Sequence, residues 1–114
     1  MTLEELKEKV IEFRNRRDWK KFHSPKDLAI SLVLEATEVL EHFQWKDQKE
    51  QDKYVKNHKE NIADELGDVL HNILLIADEF KIDLEKAFLA KMRKNEKKYP
   101  VRKSKGKNKK WTEL

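Results

Sequence analysis

The sequence predicts an all-α fold, and three observations carry that expectation. Only 38% of the 114 residues are hydrophobic while 42% are charged, a ratio that suits amphipathic helices with solvated faces better than a sheet. Two glycines and two prolines leave little turn chemistry for the many hairpins of a β domain. Apolar residues also recur at helical spacing in four separate stretches. The length fits one domain, small enough for self-association to add burial.

The first helix is expected over 3–17, where Leu3, Leu6, Val10, Phe13 and Arg17 share a face. Thr2 is its N-cap, and Glu5 three residues on completes a capping box. Residues 18–24 lose the period yet hold Trp19, Phe22 and His23, a costly composition for a mere connector, so something should pack there.

Ser24-Pro25-Lys26-Asp27 opens the second helix: Ser caps, Pro suits the first helical position, and Asp stands where a capping box wants an acid. This helix should run to about Gln44. At 100° per residue from Glu35, the apolar residues Leu28, Leu32, Ala36, Val39 and Phe43 fall between about 20° and 100°. Glu35, Glu38 and His42 fall between about −60° and zero, on the rim of that stripe. Glu41 points to solvent.

Residues 45–56 are polar and without period, and are expected to form a loop. A third helix, the most buried, should span about 57–80 through Ile62, Leu66, Val69, Leu70, Ile73, Leu74, Ile76, Ala77 and Phe80. Counted from Glu65, Asp68 and Asn72 fall at about −60° and −20°, beside an apolar stripe centred near 80°. The arrangement of the second helix is thus repeated, with Asp64 and His71 turned to solvent. Asp83 can cap a fourth helix ending near Lys98, before Tyr99-Pro100 stops it. The chain divides into a helical domain, 1–98, and a basic C-terminal tail, 99–114.

The chemistry lies in Glu35-x-x-Glu38 and Glu65-x-x-Asp68. Residues three apart on a helix lie roughly 5–6 Å apart at Cβ and point the same way, so each pair is an oxygen clamp. A lone pair of this kind is ordinarily a solvated face. Two pairs on the rims of facing apolar stripes would gather four negative charges, which a hard divalent cation, Mg²⁺ or Mn²⁺, would neutralise. A di-iron carboxylate bundle is a competing reading, but it wants Glu-x-x-His on two helices, and only Asp68-x-x-His71 approaches that spacing. An all-carboxylate Mg²⁺ site suggests phosphate chemistry. Trp19 and Trp45 flank the acid helix and could stack on a base.

The net charge of +4 is uneven: residues 97–110 hold eight Lys or Arg and no acid, leaving 18 basic against 22 acidic groups elsewhere. The tail reads either as a solvated segment or as a partner for phosphates. A rival function follows, a non-enzymatic bundle binding nucleic acid through that tail, although the acidic body speaks against nucleic acid as a partner. No apolar run approaches the roughly 18–20 residues of a membrane span, and the start of the chain is acidic where a secretory signal is basic. No cysteine is present, which excludes disulfides and thiolate metal sites. A soluble, cytoplasmic protein is expected.

An ordered set of residues carries a family resemblance: Arg17-Asp18-Trp19 with Phe22-His23-Ser24-Pro25, Glu35-x-x-Glu38, Phe43-Gln44-Trp45, Glu65-x-x-Asp68, Lys91-Met92 with Asn95, and Tyr99-Pro100-Val101 followed by Ser104-x-Gly106. In this order they resemble the MazG-like all-α nucleoside triphosphate pyrophosphohydrolases, most closely the small dCTP pyrophosphatase branch. The resemblance implies a four-helix unit assembling as a dimer or tetramer. It implies hydrolysis between the α and β phosphates of a nucleoside triphosphate, removing cytidine or modified deoxynucleotides from the pool. It makes Glu35, Glu38, Glu65 and Asp68 the Mg²⁺ ligands and the catalytic acids. It has Trp19 and Trp45 sandwich the base, places Asn72 and Asn95 near base or sugar, and counts His23 among the substrate-binding residues. Lys91, Tyr99, Arg102 and Lys105 become candidates for phosphate contacts. The preferred base stays open, because Val10 and Asn72 depart from the family's base-contacting residues.

Overall fold

Six helices and two short 3₁₀ turns make up the computed structural model, which describes residues 1–114 and contains no strand. The helices are α1 (Leu3–Arg16), α2 (Pro25–Glu41), α3 (Gln48–Asn57), α4 (Lys59–Glu79), α5 (Leu84–Lys98) and α6 (Val101–Ser104). The turns are Lys20–Phe22 and Trp111–Glu113. The all-α expectation holds, with six helices in place of four. The chain forms two units, residues 1–81 and 82–114, and no helix is long and apolar enough to cross a membrane.

In the first unit α4 is the spine, packed mainly on α2 and α1 and least on α3. Val10, Leu28, Leu74, Leu75 and Ala77 form its buried core, the larger of them each contributing about 1.5–3 kcal/mol. Arg14 is 3% exposed and locks α1 to α4. Its Nη1 lies 2.8 Å from Asp78 Oδ2 and 3.1 Å from Glu79 Oε1.

The helix starts obey their caps. Thr2 Oγ1 accepts from the Glu5 N–H at 3.1 Å and Ser24 Oγ from the Asp27 N–H at 3.1 Å. The end of α1 is a Schellman motif: the Trp19 N–H reaches the Arg14 carbonyl, the Asp18 N–H reaches that of Asn15, and Asp18 takes φ 53°. Asp tolerates this left-handed conformation better than most residues. The motif delivers Trp19 edge-on against Phe13, ring centroids 5.9 Å apart, while Trp19 and Phe22 both stay exposed.

Two expectations fail between residues 42 and 57. Helix α2 stops at Glu41 rather than near Gln44, and the chain turns so that Trp45 adopts φ 65°. The supposed loop contains α3. It has no apolar period because it buries no residue, and its stability is local and polar. Asp47 Oδ1 accepts from the Glu50 N–H at 2.9 Å, and the Gln48 amide donates to Asp52 Oδ1 at 3.0 Å. Glu, Lys and Gln are themselves good helix formers.

In the second unit Asp83 caps α5, its Oδ1 accepting from the Lys86 N–H at 3.1 Å. The Tyr99 N–H returns to the Asn95 carbonyl at 2.8 Å before Pro100 opens α6. The basic segment beyond is structured rather than featureless: Gly106 turns at φ 75°, and the Lys98 ammonium sits 5.2 Å from the Trp111 ring centroid.

Candidate active site

The i, i+3 pairs on α2 and α4 face each other with the helices antiparallel, Glu35 beside Asp68 and Glu38 beside Glu65. One carboxylate oxygen from each of Glu35, Glu38, Glu65 and Asp68 falls within a set whose members all lie within 4.8 Å of one another. No lysine or arginine pairs with any of them. The imidazole of His42 is beside them, its Nε2 3.6 Å from Glu65 Oε1.

The electrostatics follow from that crowding. The Glu35 carboxyl titrates above its usual 4.5 through burial first, then through the charges of Glu38 and Asp68. Glu65 is raised as well, first by a hydrogen bond with Glu38, then by burial and the Glu38 charge; His42 opposes the rise. Glu35 Oε2 is buried with no hydrogen-bond partner, a costly state for a carboxylate oxygen.

This donor set fits a hard divalent cation. All its atoms are oxygens, and opposite ligands of one Mg²⁺ lie about 4.2 Å apart, close to the spread observed. The orphaned Glu35 oxygen would gain a partner. The set contains no imidazole, which disfavours the di-iron alternative. His71, expected to face solvent, instead is half-buried and meets Phe13 edge-on at 5.6 Å. Its apolar surroundings, with Phe13 and Leu75, outweigh the phase of a single residue counted along one helix. Burial chiefly, and His23 beside it, push His71 below the ordinary histidine value, while Asp68 opposes them.

A cavity of about 530 Å³ opens beside the acids, within the range of small-molecule pockets. Glu35 and Asp68 form one edge of it, and Phe13, Trp19, Phe22 and His71 supply its aromatic wall. Asp27, Ser31, His23 and Asn72 add polar groups. His23 Nδ1 is buried without a hydrogen-bond partner, and the Asn72 amide donates to the Asp68 carbonyl at 3.0 Å. Of the expected substrate residues, Trp19, His23 and Asn72 therefore share the cavity with two of the acids. Trp45 does not: it is 92% exposed. Lys91, Asn95, Tyr99, Arg102 and Lys105 belong to the second unit, Lys91 and Asn95 on α5, Tyr99 capping it, Arg102 on α6 and Lys105 at its end.

Sequence reasoning missed Phe13, Asp27, Ser31 and His71. A signal for two of them was present, since Asp27, Ser31 and Glu35 are four apart and so lie along one row of α2. Phe13 reads as core by spacing, and only the fold shows it lining a cavity.

The MazG-like family model matches residues 30–114. The chain is 38% identical over 115 residues to dCTP pyrophosphatase 1 of Bos taurus, a match covering 99% of this chain and 68% of that protein. It is 37% identical to dCTP pyrophosphatase 1 of Homo sapiens over the same shares of the two chains. Among solved structures it resembles a pyrophosphatase from Archaeoglobus fulgidus DSM 4304, with a TM-score of 0.80 and 41% identity over 85% of this chain and 91% of that one.

Proposed function

The chain belongs to the MazG-like family, and from that premise we propose that it is a Mg²⁺-dependent pyrophosphohydrolase acting on dCTP or a modified dCTP. It is a nucleotide pyrophosphatase, as the relatives named dCTP pyrophosphatase and the pyrophosphatase of like fold support. The reaction cleaves the bond between the α and β phosphates and yields the monophosphate and pyrophosphate. The observation that carries this reading is the convergence of four carboxylates unpaired with any lysine or arginine, two of which, Glu35 and Asp68, line an aromatic cavity.

Glu35, Glu38, Glu65 and Asp68 are the groups that would hold the cation, which supplies Lewis-acid polarisation of a phosphoryl oxygen and a more acidic bound water. The chain's own residues do the rest. Trp19, backed edge-on by Phe13, offers a flat face for a base, and His23 and Asn72 supply polar contacts around it. A carboxylate of the cluster accepts the proton of the attacking water. Lys91, Tyr99, Arg102 and Lys105 would contact the phosphates, the three cationic side chains by charge and Tyr99 by its hydroxyl, and Asn95 would contact base or sugar.

The same reading includes a homo-oligomer, dimer or tetramer. Ile30, Val33, Leu34 and Leu40 are exposed on α2, Val33 by 63%, a bare apolar face that self-association would cover. Trp45, held at positive φ and fully exposed, would complete the base sandwich from a neighbouring subunit. A chain without cysteine suits the reducing cytoplasm. The rival reading of a non-enzymatic nucleic-acid binder finds no support among the relatives.

The test is a screen of the canonical deoxynucleoside and ribonucleoside triphosphates with 5-methyl-dCTP, each with Mg²⁺ and with products separated. The deoxycytidine nucleotides should give the highest kcat/KM. Equal turnover of all bases would remove the cytidine assignment, and no product from any would remove the activity.

A further inference from the structure

The polar helix α3 reaches toward the acid cluster through Tyr54 and His42. Tyr54 Oη meets His42 Nδ1 at 2.5 Å, and the opposite ring nitrogen, Nε2, lies 3.6 Å from Glu65 Oε1. The Tyr54 ring is itself clamped. His58 stacks on it at 4.0 Å with the planes 11° apart, the Lys46 ammonium stands 4.5 Å from its centroid, and Phe43 meets it edge-on at 6.0 Å. That is more order than an exposed helix with no buried residue needs for its own sake.

Elementary hydrogen-bond chemistry sets the direction of the relay. A neutral imidazole has one N–H and one lone pair. Were the proton on Nδ1, the Nε2 lone pair would face the Glu65 carboxylate, lone pair against negative charge. With Tyr54 donating its O–H to Nδ1, Nε2 carries the proton and presents it to Glu65. The 3.6 Å separation is longer than a hydrogen bond, so His42 acts on Glu65 by its N–H dipole across a short gap.

We infer that His42 is a positioning residue for the Glu65 carboxylate, its proton held on Nε2 by the Tyr54 hydroxyl, so that the docking of α3 sets the readiness of the acid cluster for a divalent cation. This rests on the proposed cation site. Outer-shell partners of ligating carboxylates typically tune metal affinity by about 10–100-fold, and His42 is placed to do so here. No residue of α3 enters the cluster itself.

The test uses the full chain, with Mn²⁺ alone as the probe, titrated by calorimetry or electron paramagnetic resonance. Wild-type protein should bind Mn²⁺. His42→Leu should weaken binding by roughly 10-fold or more, whereas His42→Gln, whose amide can still donate toward Glu65, should stay within about 3-fold. Tyr54→Phe keeps the ring packing and removes only the hydroxyl, so it should weaken binding less than His42→Leu does. In the metal-free protein, ¹⁵N spectra should place the His42 proton on Nε2, and Tyr54→Phe should shift it to a tautomer mixture. Should His42→Leu not fold, Tyr54→Phe and the spectra decide alone. Affinity unchanged in Tyr54→Phe with an unchanged tautomer, or His42→Gln as weak as His42→Leu, would overturn the inference while leaving the cation site standing. Failure of the wild type to bind Mn²⁺ would instead overturn the site, and this inference with it.

Discussion

At the scale of single residues, the account rests on four carboxylates that repel one another. For Glu35 and Glu65 the folded protein holds the proton more tightly than the unfolded chain does. At these two sites the folded state therefore binds more protons, and their contribution to stability falls as pH rises from about 4.5 through the raised folded values. Metal-free protein is thus predicted to lose thermal stability over that window, and saturating Mg²⁺ should remove most of the loss. Glu38→Gln, which deletes one charge and the acid that bonds to Glu65, should flatten the same profile and abolish turnover with the helical content unchanged. Calorimetry as a function of pH checks the first part, and a flat wild-type profile would contradict it. Trp19→Ala should chiefly raise KM; an unchanged KM with lost stability would make Trp19 a packing residue against Phe13.

At the scale of elements, the outcome depends on whether a helix is built on an apolar stripe. The stripes of α2 and α4 were readable in the sequence, and so was the placing of both acid pairs on their rims, because helical phase is local information. Caps at Thr2, Ser24 and Asp83 were readable for the same reason. Helix α3 was not: it buries nothing, so its only signals were Asp47 as a cap and a run of good helix formers. His71 was misplaced because phase on α4 says nothing of Phe13 on α1. The Arg14 lock was likewise out of reach, its partners Asp78 and Glu79 lying 64 and 65 residues away. Its removal gives a clear prediction. Arg14→Ala should cost about 3 kcal/mol, since it leaves two partly buried carboxylates unpaired and frees α1, which carries Phe13 and Trp19 toward the cavity. A urea midpoint within error of wild type would show that the pair contributes nothing.

At the scale of the whole molecule, the exposed apolar face of α2 and the bare ring of Trp45 are costly in water, and the proposed assembly would cover them. Leu34→Glu should shift the sedimentation coefficient to that of a monomer and lower activity; a wild type that sediments as a monomer would contradict the assembly. The central claim is that the acid cluster directs attack to the α phosphate of a triphosphate. Its most direct measurement is the product pair formed from dCTP with Mg²⁺ and with excess EDTA. The account predicts dCMP and pyrophosphate in equal amounts with Mg²⁺ and nothing with EDTA, whereas dCDP with orthophosphate, or turnover indifferent to EDTA, would contradict it.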